Sequence, residues 1–100
     1  MQIELKKEND RLTVLPAGKL DTVTAPEFEE TVTGSLEGVR ELVLDLKDLP
    51  YTSSAGLRVF LKLQKIMAKQ GEMKVLHVCE EVMDIFEMTG FSDILTIQSA

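Results

Sequence analysis

The feature that most constrains the fold is a regular alternation of strand-type and helix-type hydrophobic patterns along the chain. Two strand patterns come first, and from about residue 24 helix and strand patterns follow each other in turn to residue 98. Parallel neighbours in a sheet need a crossover connection, which is usually a helix. The alternation therefore predicts a single α/β domain over residues 1–100, with an N-terminal β-hairpin leading into a largely parallel central sheet with crossover helices.

The two N-terminal strand patterns are separated by a short turn. Residues 3–6 alternate apolar and charged side chains, residues 8–10 have turn chemistry, and residues 12–14 begin a second alternation. Such a pair is typical of a β-hairpin. Pro16 has no N–H group for a strand ladder, so we expect this part of the second strand at an edge or a bulge.

The first helix pattern starts at Thr24 and is expected to end at Gly38. Thr24 is a candidate N-cap, Glu27 stands where it could complete a capping box, and Pro26 suits the first turn. Its predicted apolar stripe is Phe28, Val32 and Leu36. The later elements are expected as strands at 42–46, 73–78 and 95–98 and helices at 55–69 and 80–88.

The composition excludes several classes of function. Seventeen acidic and eleven basic residues give a net charge of −6, which disfavours binding to nucleic acid or to a bare anionic membrane. The one cysteine, Cys79, cannot form an internal disulfide or a thiolate metal site. A glycine loop of the Walker type is absent from the sequence as well, and no cofactor or metal is predicted. Without a signal-peptide pattern or a long apolar run, the expectation is a cytoplasmic protein.

Residues 51–61 carry the most informative motif. They follow a predicted buried strand and open the longest predicted helix, so Ser53 and Ser54 should lie where backbone N–H groups are unpaired. Taken alone, Ser54 is most simply explained as an N-cap. Gly56 lowers helix propensity in the first turn, which fits a place where the backbone of a partner approaches closely.

This motif resembles the central signature of STAS domains, the family of anti-sigma factor antagonists, and the similarity runs the whole length of the chain. The resemblance implies that Ser54, two residues before Gly56, is the phosphoacceptor. Well-known members have an aspartate where this chain has Ser53 and a second hydroxyl residue where it has Ala55, so Ser53 is an alternative acceptor. Asp21 matches an aspartate that contributes to recognition by the kinase, although capping of the first helix explains it nearly as well.

The function implied by the resemblance is a switch without catalysis of its own. The unphosphorylated protein would bind an anti-sigma factor, often itself a serine-protein kinase, and so release a sigma factor. Phosphorylation of Ser54 would abolish binding, and a serine phosphatase would restore it. The implied partner surface consists of Asp21, Ser53, Ala55, Gly56, Leu57 and Arg58. The main alternative is a STAS scaffold or transport-complex subunit that does not switch, and a more distant one is an enzyme with Ser54 as nucleophile.

Three further features have structural explanations that compete with functional ones. A basic stripe, defined as Arg58, Lys62, Lys65 and Lys69, recurs at helical spacing; it is either a solvated face or, near Ser54, a surface that steers an acidic partner. His77 is expected to pack within the strand at 73–78. Met83 and Met88 are expected in the core or on an apolar docking surface.

Overall fold

The computed structural model describes residues 1–98 and contains the predicted alternation of elements. The helices within this part of the chain are α1 (Ala25–Thr33), α2 (Ser54–Gln70) and α3 (Glu80–Thr89), with a short 3-10 turn at Phe91–Asp93. The strands are β1 (Gln2–Glu8), β2 (Arg11–Ala17), β3 (Lys19–Leu20), β4 (Glu41–Asp45), β5 (Tyr51–Thr52), β6 (Glu72–Leu76) and β7 (Ile97–Gln98).

A five-stranded sheet in the order β1-β2-β4-β6-β7 forms the centre of the fold. β1 and β2 pair antiparallel, whereas the β2–β4, β4–β6 and β6–β7 pairs are parallel. The predicted hairpin and the largely parallel sheet are therefore confirmed. β4 pairs with β2 only from Arg11 to Val14, so Pro16 lies beyond that ladder, at an edge as expected.

The hydrophobic core lies between one face of this sheet and the three helices. Leu12, Val14, Leu42, Leu44, Met73 and Val75 line the sheet side and are almost fully buried. On the helix side, Phe60 of α2 lies between Phe28 of α1 and Phe86 of α3, with edge-to-face ring pairs whose centroids are 5.9 Å apart. The aromatic residues of three different helices thus join in one cluster, which fixes α2 against the sheet.

The first helix begins after Thr24 as predicted, but the predicted capping bonds and the predicted C-terminal end differ from the structure. Thr24 has helical backbone angles and its side chain makes no capping hydrogen bond, so the predicted capping box does not form. The helix ends at Thr33, with Gly34 as its C-cap, and not at Gly38. Leu36, predicted as part of the helix stripe, is therefore buried from the loop that follows α1.

The prediction that His77 packs within a strand is wrong. β6 ends at Leu76, which pairs with Asp45, the last residue of β4. His77 then adopts a positive φ of 56°, which takes its side chain out of the sheet. The side chain is 42% exposed and its Nδ1 lies 2.9 Å from Asp45 Oδ1. Pairing with β4, and not hydrophobicity, decides where this strand ends.

No helix among residues 1–98 is both long enough and apolar enough to cross a membrane.

Candidate functional site

A small parallel pair of strands, β3 and β5, brings together the two loops that contain the predicted site residues. Lys19 pairs with Tyr51 and Leu20 with Thr52. The ladder is extended by the Ser53 N–H, which donates to the Leu20 carbonyl at 2.8 Å. Asp21 follows one strand and Ser53 the other, so the two loops lie side by side although they are far apart in the chain.

Ser53, and not Ser54, is the N-cap of α2. Its backbone is extended, with φ −94° and ψ 179°, and its Oγ accepts a hydrogen bond from the Ala55 N–H at 3.2 Å. The Ser53 carbonyl then accepts the first intrahelical bond, from the Leu57 N–H at 3.1 Å. The interpretation of Ser54 as a cap is therefore wrong, since the preceding residue has the capping backbone and side chain.

Ser54 is the first residue of α2 and is exposed to solvent. It lies at the positive end of the helix dipole, among N–H groups that have no partner in the preceding turn. A phosphate attached here would meet a favourable local field. Because Ser53 caps the helix, the Ser54 hydroxyl is not needed for that purpose.

Gly56 and Leu57 lie beneath this surface. Leu57 is 6% exposed, and Gly56 is buried against the β3–β5 pair. A Cβ atom at position 56 would overlap Thr52 Oγ1 and lie 2.8 Å from Leu20 Cδ2. The close approach that requires a glycine is therefore made by the protein's own strands, which corrects the expectation of an approaching partner backbone. Both residues support the exposed site from within.

Asp21 organises the turn that leads into α1. Its Oδ1 accepts hydrogen bonds from the N–H groups of Val23 at 2.9 Å and Thr24 at 3.0 Å. Thr24 Oγ1 accepts from the Asp21 N–H and donates to the Lys19 carbonyl. The Thr24 N–H, followed by weaker contributions from Val23 and Lys19, lowers the pKa of the Asp21 carboxyl below its ordinary value. The carboxylate is thus engaged within its own loop.

Val23, which the sequence patterns did not indicate as a site residue, is 85% exposed in this turn. The bond from its N–H to Asp21 Oδ1 holds the turn in which the isopropyl group faces solvent. An apolar residue inside an otherwise polar turn, outside the stripe of α1, was the available signal. Val23 is thus an exposed apolar side chain in the turn that leads into α1.

A groove between α1 and α2 extends from this site. Arg58 and Ala55 line one side, and Pro26 and Glu29 are among the residues on the other. At Lys62, farther along α2, the Nζ lies 2.7 Å from Glu29 Oε2. Part of the basic stripe is therefore already paired with α1, while Arg58 is exposed one turn after Ser54. Met88 of α3 is 86% exposed and Met83 half-buried, and neither lines this groove.

Comparison with known proteins identifies the family of this chain. The STAS domain model matches residues 2–100. An anti-sigma-B factor antagonist of Bacillus subtilis (strain 168) is 31% identical over 100 residues, which cover 99% of this chain and 92% of that protein.

Solved structures share the fold at lower identity. An anti-sigma factor antagonist from Thermotoga maritima, described as putative, superposes with a TM-score of 0.90 at 21% identity, covering 98% of this chain and 86% of that one. SpoIIAA, an anti-sigma factor antagonist, superposes in its unphosphorylated form with a TM-score of 0.85 at 16% identity, covering 99% and 88%. Its phosphorylated form, from Bacillus, gives 0.77 at 14%, covering 99% and 91%. With this α/β fold, the serine-rich start of α2 and a family match over residues 2–100, the chain belongs to the STAS domain family.

Proposed function

We propose that this protein is an anti-sigma factor antagonist whose binding is switched off by phosphorylation of Ser54. The main support for the proposal is that the two adjacent serines at the start of α2 have different structural roles. Ser53 caps the helix, and Ser54 is exposed beside it. A modification of Ser54 can therefore change the surface without removing a bond that holds the fold.

The proposed docking surface is formed by the turn before α1 and the first turns of α2. Val23, Ser54 and Arg58 supply an apolar group, the acceptor hydroxyl and a positive charge, all exposed. Gly56 and Leu57 lie beneath them and fix α2 against the β3–β5 pair. The similarity to the Bacillus subtilis antagonist supports an anti-sigma factor as the partner.

The physical basis of the switch is that a phosphate is tolerated by the fold and rejected by an interface. Phosphorylation adds roughly −1.5 to −2 charges. Within the protein, the N-terminus of α2 stabilises that charge, and Arg58 lies one turn away on the same side of the helix. In a tight interface the same charge must lose its hydration, which is costly without a dedicated partner. That SpoIIAA has been solved in both unphosphorylated and phosphorylated forms supports this mechanism.

In this proposal the partner is both binding target and kinase, and the protein acts by binding alone. A serine phosphatase would remove the phosphate and restore docking. The chain then needs no catalytic group of its own, since the transferred phosphoryl group comes from ATP held by the kinase. Asp21, which is engaged within its own loop, would act mainly by positioning Val23.

Phosphorylation by the cognate anti-sigma factor kinase tests the acceptor directly. Incubated with that kinase and Mg-ATP, the protein should take up one phosphate, located on Ser54 by mass spectrometry. Ser54→Ala should take up none and bind the partner constitutively, while Ser53→Ala, its matched control, should still be phosphorylated. Phosphate found mainly on residue 53 of the parent protein would overturn the assignment.

A charge substitution tests the switch without a kinase. Ser54→Asp should melt within a few degrees of the parent, since an anion at a helix start is favourable by roughly 0.3–1 kcal/mol. It should nevertheless bind the partner at least about tenfold more weakly, because the carboxylate must be desolvated. Ser54→Asn introduces a side chain of nearly the same size as aspartate but without the charge. It should therefore lose less affinity for the partner than Ser54→Asp. Equal binding by Ser54→Asp and the parent would favour a STAS scaffold that does not switch.

A further inference from the structure

At one edge of the five-stranded sheet, the outer side of an extended strand has no neighbour among residues 1–98. β1 lies at the end of the strand order and pairs with β2 alone. Six of its seven residues are exposed. Free edge strands are templates for pairing with another chain, and proteins often protect them with charge. The arrangement of charges on β1 decides which partner it can accept.

The hydrogen bonds of β2 determine which groups of β1 face the open edge. The Asp10 carbonyl accepts from Arg40 and Glu41 at the start of β4, so the even-numbered residues of β2 face β4. The odd-numbered residues from Arg11 to Ala17 therefore face β1, where they pair with even-numbered residues. By the same alternation, the N–H and C=O groups of Ile3, Leu5 and Lys7 point outward.

These outward groups suit a second copy of the same strand. In an antiparallel pair centred on Leu5, Leu5 faces Leu5 of the second copy and Ile3 faces Lys7, each as a hydrogen-bonded pair. Glu4 then faces Lys6 of the second copy, and Lys6 faces its Glu4. These are pairs without backbone hydrogen bonds, in which the side chains come closest. The sequence of β1 is thus self-complementary in charge about Leu5.

Burial adds a second reason for this register. Leu5 is 39% exposed although it shares the core side of the sheet with Val14. The two-fold pair would cover it with its own copy and continue the apolar row that runs through Leu44 and Val75. In the monomer, Lys6 Nζ lies 3.5 Å from Glu4 Oε2, and both side chains are 64% exposed. Pairing would replace the solvated contact within each copy, two in all, by two contacts between the copies.

We propose that β1 is a homodimerisation edge, through which two copies join in an antiparallel pair centred on Leu5 to form one continuous sheet. The symmetry is two-fold, so each contact occurs twice. An interface of one short strand is small, and the dimer is correspondingly weak and concentration-dependent. This dimer does not rest on the proposed function, since it involves β1 and not the start of α2.

Charge reversal tests the register. By sedimentation velocity over roughly 10 μM to 1 mM, the parent should show a concentration-dependent dimer. Glu4→Lys places two lysines opposite each other twice, and should weaken the dimer about tenfold. Glu87→Lys on α3 changes the net charge equally and should not weaken it. If general repulsion between copies of charge −6 controlled association instead, both variants would dimerise more strongly than the parent. The proposed register predicts the opposite for Glu4→Lys.

Mixing experiments complete the test. Lys6→Glu alone should also weaken the dimer, whereas the double variant Glu4→Lys/Lys6→Glu should restore it. A mixture of the two single variants should form a heterodimer, because every facing pair is then opposite in charge. Circular dichroism should show the same fold for all of these proteins. A parent that stays monomeric throughout, or a dimer that Glu4→Lys leaves unchanged, would overturn the proposal.

Discussion

The first two helices begin next to each other and use their polar side chains in opposite ways. At α1, Asp21 and Thr24 are both engaged in hydrogen bonds within the turn, and Thr24 has helical backbone angles with no capping side-chain bond. At α2, Ser53 alone supplies the cap and Ser54 is exposed next to it. The polar side chains at the start of α1 therefore hold the turn together, whereas the Ser54 hydroxyl at the start of α2 is not needed to cap the helix.

The difference indicates where a phosphorylation switch can be located with little loss of stability. A side chain whose bonds hold a turn cannot be modified without loosening that turn. A side chain beside a complete cap can be modified freely, and the helix dipole favours the added negative charge. Substitutions at Gly56, at the two serines and at Asp21 test this difference between the two helix starts.

The largest effect is expected from Gly56→Ala, which tests whether the start of α2 is tightly fixed to the β3–β5 pair. The added methyl group would overlap Thr52 Oγ1 and crowd Leu20. Overpacking of this kind costs typically 1–3 kcal/mol, which outweighs the gain in helix propensity. Chemical denaturation should show that loss in the free energy of unfolding. Stability equal to or above the parent would mean that the site tolerates movement of α2.

A control for Gly56→Ala is available at the other end of α1. Gly34 has an ordinary φ of −69°, and the nearest atom to an added Cβ is the Glu30 carbonyl oxygen at 3.1 Å. Gly34→Ala should therefore change stability much less than Gly56→Ala. Comparable losses in the two variants would show that the effect is not specific to the site.

The second effect separates the two serines. Ser53→Ala removes the N-cap and should cost about 1 kcal/mol, which lowers the melting temperature by about 4–8 °C in a protein of this size. Ser54→Ala should stay close to the parent, because Ser53 still caps the helix. Thermal unfolding of both variants under one condition gives the comparison. Equal losses would mean that the two hydroxyls share the cap, and Ser54 would no longer be free for modification.

The smallest effect is a pH dependence at Asp21. Its pKa is lowered in the folded protein, chiefly by the Thr24 N–H, so its contribution to stability is present above the unfolded pKa. That contribution is lost as the pH falls through the lower, folded pKa. Asp21→Asn keeps an acceptor oxygen but does not titrate. The parent should therefore be the more stable of the two near pH 7, and the difference should narrow below about pH 4.

Two further readouts make the Asp21 experiment decisive. Glu41 also has a lowered pKa, first through its bond from Lys74, but it is present in both proteins and cancels in the comparison. If Asp21 only positions the turn, Asp21→Asn should bind the anti-sigma partner nearly as well as the parent at pH 7. A large loss of binding with unchanged stability would instead assign the charge of Asp21 to partner recognition.

Local signals predicted the elements but not all of their ends. Residues 3–6 and 12–14 gave the hairpin, and Gly90 ends α3 in the left-handed conformation with φ 80°, as its position after residue 88 indicated. The capping box at Thr24 failed because the Thr24 hydroxyl donates to the Lys19 carbonyl, before the turn, and accepts from the Asp21 N–H. His77 was misplaced because the end of β6 is determined by its pairing with β4.

The α/β class, the resemblance to STAS domains and the segment that contains the candidate site could all be predicted from the sequence. Periodicity and turn chemistry are local, and they are present in the chain before it folds. The folded structure added that Ser53 caps α2 while Ser54 faces solvent, that Gly56 contacts its own strands, and that Val23 is exposed. The close packing around Gly56 and the bond from the Ser53 N–H to the Leu20 carbonyl depend on the pairing of β3 with β5, which joins segments about 30 residues apart and which no local pattern encodes.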